Sequence, residues 1–422
     1  MTSQDFEKIK KVLKFVWENP HSDFYRKKYE AAGFNPASAL LAPGDFERVP
    51  FLLREELAQT HPEERLFFPP GGMWHLLSTS GTSRQKPAFF YRRSVPAPKP
   101  HSPFFSEKSR VLLLTLPSRV NIYSNDKMSV QASEGRLVVG DVSNLPATAY
   151  QAAYLAVDTI IGTPTLLLEF APHLAKHYDL SHVRLLRCRG ENLTPLRMQK
   201  LQEFYPQAEL RAGYALAEIG PLGRQCAELG SSLQTISFFH VLEDEYLESG
   251  PEGELIFTPL LVDKGFGTPL IRYRTGDQVK FLEEKCRCQD KQPLFKIEGR
   301  IGLDYLKVSG GAVVAGEVEK AIQELGGAED YLLHVWEAED QGQIKIKLVL
   351  EIVPRDKSAV LLPHYGELFS QKLKVGAHTT LSQAVKLGFF SSPEVRQVKQ
   401  IPRVVSKHLH IANHLHEKFI VA

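Results

Sequence analysis

Apolar and polar positions follow two different rhythms along this chain. Near the start, Phe6, Ile9, Leu13 and Val16 recur at helical spacing among lysines and acids, which predicts an amphipathic surface helix. Further on, Arg110 to Leu116, Gly135 to Val142, Asp158 to Pro164 and Val183 to Gly190 read as buried strands ending at Gly or Pro. The stretches LLLEFAPHLAKHY and LTPLRMQKLQEFY carry helix-period apolar residues between and after them. Strand, helix, strand, helix predicts a layered α/β domain. From Phe238 to Phe281 the pattern turns to strands (FHVLEDEYLE, GELIFTPL and PLIRYRTGDQVKFL), which predicts a β-rich subdomain packed on the α/β core. Beyond it, VEKAIQELG reads as a helix, YLLHVWEAED and IKIKLVLEIV as a hairpin, and QAVKLGFF and IANHLHEKFI add helical character. The predicted class is α/β: a large N-terminal domain over residues 1–303 with its β-rich subdomain, then a small α+β domain over 304–422.

Composition narrows the functional classes. The 422 residues leave room for two or three domains, and 43% hydrophobic with 24% charged residues is globular. With 51 basic against 49 acidic residues the net charge is +2, which gives no electrostatic case for nucleic acid or an anionic membrane. No apolar stretch approaches the ~18 residues of a membrane span. The longest candidate, Tyr154 to Ala171, is interrupted by Asp158, Thr163, Pro164, Thr165 and Glu169. The N-terminus lacks the apolar core of a signal peptide, and four cysteines are no disulfide framework. The expectation is a cytoplasmic protein with neither nucleic-acid nor membrane partners.

Five strings can carry chemistry. STSGTSRQKP (Ser78 to Pro87) sets hydroxyls around Gly81, and such a turn can present N–H groups and hydroxyls to phosphate oxygens; a solvated loop has the same composition. GYALAE (Gly213 to Glu218) offers an aromatic ring and a carboxylate. IRYRTGD (Ile271 to Asp277) reads as a strand ending in Thr–Gly–Asp, with Asp277 on a turn where it can accept hydrogen bonds from two ribose hydroxyls. A plain turn capped by Asp reads alike. GRIGLDYLK (Gly299 to Lys307) and IPRVVSKHLH (Ile401 to His410) follow. In this order and at these separations the strings resemble those of the adenylate-forming (acyl/aryl-CoA synthetase) superfamily, nearest its phenylacetate–CoA ligase branch, over nearly the whole chain. Those enzymes join a carboxylic acid to AMP before passing the acyl group on.

The resemblance implies roles. Ser80, Gly81, Thr82, Ser83 and Lys86 form the phosphate loop, with Arg84 near the place of a second glycine. Thr159 to Thr163 line the acid pocket, and Gly190 with Glu191 supports the nucleotide, Arg189 standing for a glycine. Tyr214 lies against adenine and Glu218 binds Mg²⁺, while Ala215 and Ala217 replace a glycine and a hydroxyl residue. Asp277 and Arg300 hold the ribose and α-phosphate; Asp304 is the hinge, one residue later than usual, and Lys307 follows it. Lys407 is the electrostatic catalyst of adenylation, with Ser406 in place of glycine and His410 in place of arginine. Cys226, His240, Cys286 and Cys288 match positions that hold structural zinc in some relatives, and Cys188 is left to the core.

The implied activity is ATP- and Mg²⁺-dependent activation of a small carboxylic acid, aryl by branch, then transfer to CoA or a carrier-protein phosphopantetheine. The resemblance further implies that the small domain turns between the two half-reactions. Two alternatives stand: an enzyme that loads a carrier protein or forms an amide, and a nucleotide-binding relative that has lost catalysis. Phe238, Phe239 and Tyr123 suit an aryl pocket or the core equally.

Overall fold

The computed structural model describes residues 1–69, 73–78, 88–93, 105–115, 130–131, 133–190, 193–226, 228, 238–282, 286–288, 290–300, 305–308, 311–340, 342–356, 364–376, 379–401 and 411–415. At 195, 298–300, 305, 307, 315 and 413 it describes the backbone alone. By contacts the chain divides into two units, Met1–Gly190 with Leu201–Glu298, and Glu191–Lys200 with Gly299–Ala422.

In the first unit Thr2 opens the leading helix, Ser3–Trp17: its hydroxyl accepts from the Asp5 N–H at 3.1 Å while the Asp5 carboxylate reaches back to it. The predicted apolar stripe, Phe6, Ile9, Leu13 and Val16 together with Val12, is buried in the main core, which also holds Phe239, Phe257 and Tyr273.

A two-stranded ribbon, β1 (Trp74–Ser78) and β2 (Phe89–Arg93), brackets the hydroxyl-rich loop. The remaining strands of this unit are β3 (Arg110–Thr115), β4 (Arg136–Asp141), β5 (Thr159–Gly162), β6 (Leu185–Cys188), β7 (Glu209–Leu216), β8 (Gly220–Gln225), β9 (Phe238–Val241), β10 (Glu245–Ser249), β11 (Glu254–Pro259), β12 (Tyr273–Leu282) and β13 (Leu294–Arg300). They form one 11-stranded sheet in the order β10-β11-β12-β13-β9-β8-β7-β6-β5-β3-β4. The β4-β3-β5-β6-β7 half is parallel, with the helices Leu145–Leu155, Pro164–Leu174 and Pro195–Phe204 in its connections. Its β3 buries Val111, Leu112, Leu113 and Leu114 completely, as a strand covered on both faces must. At β7 the pairing switches to antiparallel, and the predicted β-rich half continues the same sheet.

In the second unit β14 (Tyr305–Val308) pairs with β15 (Gly311–Val314). A sheet of β16 (Ala328–Asp340), β17 (Gln343–Pro354), β18 (Glu394–Gln397) and β19 (Ile411–Asn413) runs in the order β18-β17-β16-β19. Its core is Leu333, Val335, Leu348, Leu350 and Ile352 with Phe369 and Phe390. The predicted hairpin is β16–β17, while the start of IANHLHEKFI is a strand rather than a helix. Ile411 sits opposite Leu333 of β16, and that parallel pairing outweighs the helical period. Residues 193–200 join this unit through buried Glu337, which takes Arg197 Nε at 2.8 Å and the Thr194 hydroxyl at 2.5 Å.

Candidate functional site

Two of the motif strings meet at the first unit's sheet. β7 ends at Leu216, and the turn after it carries Glu218; β12 carries Tyr273 to Asp277. The Tyr214 hydroxyl donates to Asp277 Oδ2 at 2.5 Å, and the Tyr273 hydroxyl donates to Glu218 Oε1 at 3.0 Å. Tyr214, Tyr273 and Asp277 are buried and Glu218 is half-buried. The geometry thus gathers Tyr214, Glu218 and Asp277, all nominated from sequence, and adds Tyr273, which sequence reasoning passed over. The signal was present: each motif places a tyrosine four residues before its acid.

Asp277 was expected on a turn at a strand end; it lies instead on a bulge inside a continuous strand. Ile256 of β11 faces Arg274 and Glu254 faces Gln278, so the same span of β12 holds two extra residues. Thr275 to Asp277 absorb them, and Gly276 at φ +75° takes the left-handed step that a side chain would resist. The Thr275 hydroxyl donates to Leu255 O at 2.8 Å and accepts from Asp277 N at 3.1 Å, while Gly276 N donates to Glu254 Oε1 at 2.9 Å. The apolar alternation resumes at Val279, which keeps the strand going.

The ring of Tyr214 packs on Phe239 and Phe295, with centroids 6.1 and 5.8 Å away. Gly223, opposite Tyr214 on β8, makes room: a Cβ there would stand 2.9 Å from Phe239 Cβ and from Phe295 Cζ. Of the two readings for Phe239, the core one holds.

Arg272 anchors the entry to β12. Its φ of +47° is unusual for a side-chain-bearing residue. Its guanidinium donates to Glu248 Oε1 at 2.7 Å and to the carbonyls of Glu47 and Val49 at 2.6 and 2.8 Å, and it stacks 4.2 Å over Phe51. It also lines an open cavity of about 550 Å³ with Phe46, Glu47, Phe51, Tyr246 and Glu248, which none of the sequence-nominated site residues reaches.

Glu218 borders a smaller cavity, about 20 Å³, walled by Phe257, Leu261, Phe266 and Lys264. Lys264 is ion-paired to Glu245, whose Oε2 has no hydrogen-bond partner among the described residues, and burial pushes the Glu245 carboxyl up to about 7 against the pull of Lys264. A carboxyl raised from 4.5 to about 7 contributes stability that is whole below the lower value and lost as pH rises through the upper. Glu245→Gln, which mimics the protonated form, is therefore expected to flatten the pH dependence and to exceed wild type at pH 8. Urea midpoints should show the gap growing from pH 5 to pH 8 by roughly 2–3 kcal/mol; a gap independent of pH contradicts the assignment.

Cys226, His240, Cys286 and Cys288 converge as the sequence expected, their candidate ligand atoms all within 4.8 Å of one another. Cys226 follows β8, His240 lies in β9, and the two others sit between β12 and β13. His240 Nε2 is 3.3 Å from Cys286 Sγ and 3.1 Å from Cys288 Sγ, and Cys226 Sγ lies 3.8 Å from Cys288 Sγ. On the other side of the ring, His240 Nδ1 is 2.9 Å from Gln292 O, the backbone contact that orients a metal-binding imidazole. Desolvation first, then the hydrogen bond with Cys288, pushes the Cys286 thiol up to about 12. Three thiols and one imidazole at these separations suit a tetrahedral, thiolate-seeking cation. Cys188 is buried in β6, apart from this group.

Gly190 is an exposed residue at φ +79° following β6, and Thr163 caps the helix Pro164–Leu174. Arg300 and Lys307 lie on β13 and β14, where the backbone alone is described. Ser80, Gly81, Thr82, Ser83, Lys86, Tyr123, Glu191, Asp304 and Lys407 lie outside the described residues.

No protein-family model matches the chain, and no curated protein matches its sequence. Solved structures do match its fold. 2-Hydroxyisobutyryl-CoA ligase in complex with 2-HIB-AMP and CoA, in the thioesterification state, has a TM-score of 0.63 at 18% identity over 97% of this chain and 88% of that one. The same ligase in an open conformation gives 0.59 at 17% identity, over 97% and 90%. Its postadenylation state with 2-HIB-AMP gives 0.58 at 18% identity, over 97% and 88%. Among the described residues, no helix is long and apolar enough to cross a membrane.

Proposed function

We propose that this chain, which shares the fold of that ligase, activates a carboxylic acid as its acyl-adenylate and transfers the acyl group to a thiol such as CoA. On this reading the chain works in the manner of the phenylacetate–CoA ligases, and the acid is aryl. The observation that carries the proposal is the meeting of Tyr214, Glu218 and Asp277 from two separate strings at one place in the sheet. Residues 1–303 form the adenylation domain and 304–422 the small domain, with Asp304 as hinge.

Each residue has one task. The loop of Ser80, Gly81, Thr82, Ser83 and Lys86 grips phosphate, with Gly190, Glu191 and Lys307 supporting the nucleotide. Tyr214 borders the adenine site, Asp277 accepts from the ribose hydroxyls, and Arg300 faces the α-phosphate. Glu218 is the residue that would hold Mg²⁺, which when bound offsets phosphate charge. A carboxylate oxygen of the acid attacks the α-phosphorus, the bond to pyrophosphate breaks, and Lys407 stabilises the charge spreading over the phosphoryl oxygens. A thiolate then attacks the acyl carbon and AMP leaves with the electron pair of the broken C–O bond. Cys226, His240, Cys286 and Cys288 would hold a structural zinc ion, closed to substrate by its four protein ligands.

ATP–pyrophosphate exchange against aryl, fatty and amino acids tests this reading. Exchange is expected with aryl acids and, in Lys407→Ala, a fall of about 10²–10³-fold. No exchange with any acid, or an unimpaired variant, would sink the assignment.

A further inference from the structure

The two motif strings are cross-linked reciprocally. Tyr214 and Glu218 belong to one, Tyr273 and Asp277 to the other, and each tyrosine donates to the acid of the opposite string, at 2.5 and 3.0 Å. The scaffold makes the exchange rigid. Tyr273 is 1% exposed, and its strand entry is held by Leu52, whose N–H donates to Arg272 O and whose carbonyl accepts from Arg274 N, both at 3.0 Å. Tyr214 packs in a three-ring cluster with Phe239 and Phe295, so its hydroxyl has a defined aim. The carboxylates stand outside regular strand pairing: Glu218 in a turn and Asp277 on the bulge. In each case a phenol fixed by its packing donates to the carboxylate of the other string.

We infer that Tyr273 is a positioning residue for Glu218, and that the crossed hydrogen bonds set both carboxylates before ligands arrive. This rests on the nucleotide-activating role proposed above. A phenol donating to one oxygen of Glu218 turns the other toward incoming charge and spares the cation the cost of fixing the side chain. The phenol of Tyr214 does the same for Asp277 and the ribose. The crossing predicts a separation of effects: Tyr273 serves the metal although it lies in the ribose-binding string, and Tyr214 serves the nucleoside although it lies in the metal-binding string.

The experiment uses the full chain and probes other than turnover. Mn²⁺ binding in the presence of a non-hydrolysable ATP analogue is followed by electron paramagnetic resonance, and metal-free AMP binding by calorimetry. Tyr273→Phe is expected to weaken Mn²⁺ binding about tenfold and leave AMP unchanged, as fits one lost hydrogen bond to a charged group. Tyr214→Phe is expected to weaken AMP by a similar factor and leave Mn²⁺ unchanged. In exchange assays, excess Mg²⁺ should rescue Tyr273→Phe but not Tyr214→Phe. Equal losses of both ligands in either variant, or no loss, overturn the inference. Should Tyr273→Phe fail to fold, the Tyr214→Phe arm decides alone: a change in Mn²⁺ rather than AMP affinity is fatal. A wild-type chain that binds neither probe overturns the functional reading itself, a result distinguishable from normal wild-type binding with unaffected variants.

Discussion

Purified protein is expected to carry about one zinc ion per chain, and Cys288→Ala to carry none. The four ligands come from three separate places, the end of β8, the middle of β9 and the link between β12 and β13. One cation held by all four would therefore tie together parts of the sheet that are distant in sequence. Structural zinc in small domains supplies about 10–16 kcal/mol of apparent binding free energy. Here a large core backs the site, so a loss on the order of 5 kcal/mol and a fall of roughly 10 °C in Tm are expected. Metal analysis with thermal denaturation, with and without a chelator, checks both. A metal-free wild type whose Tm equals that of Cys288→Ala would falsify the zinc assignment.

Arg272→Ala is expected to cost about 3–5 kcal/mol, because it strips the partner from a desolvated carboxylate. Glu248 is already raised, by burial first, with Arg272 opposing that shift. The substitution also strands the Glu47 and Val49 carbonyls and removes the cation stacked on Phe51. Arg272→Lys should recover only part, since an ammonium cannot reproduce the fork. Adding Glu248→Gln to Arg272→Ala should return some of the loss. Urea denaturation of the three variants measures this, and an alanine variant within 1 kcal/mol of wild type would show that the network carries little.

Legibility in the sequence followed burial and periodicity. β3 and β5 were plain because parallel strands covered on both faces read as apolar runs, and β6 keeps that pattern apart from Arg187. β7 and β8 were not, since ELRAGYAL and GPLGRQ are mixed or glycine-rich and gain their strand form from each other, with Gln225 Oε1 accepting from Ala212 N at 2.6 Å. β19 was misread because three residues are too few for a period to speak against pairing. At the site, the carboxylates and the Cys/His group were visible as motif positions. The bulge was hidden, since Thr–Gly–Asp spells a turn as readily. Tyr273 was hidden because its partner lies in the other string, and reach across a sheet is a property of register, not of spacing.

The place of β13 bears on how the chain folds during synthesis. It is the last strand of the large sheet to be made, yet it lies between β12 and β9. Until it arrives, β7-β8-β9 and β10-β11-β12 are two separate antiparallel meanders, each with an open edge exposed to other chains. Closure waits on a pairing of high sequence separation, which is slow to find. The cysteines of the β12–β13 link emerge just before that strand, so metal capture by the proposed site would coincide with sheet closure. A ribosome stalled short of Leu294 would hold a nascent chain whose two half-sheets meet through the short link between β9 and β10 rather than through strand pairing.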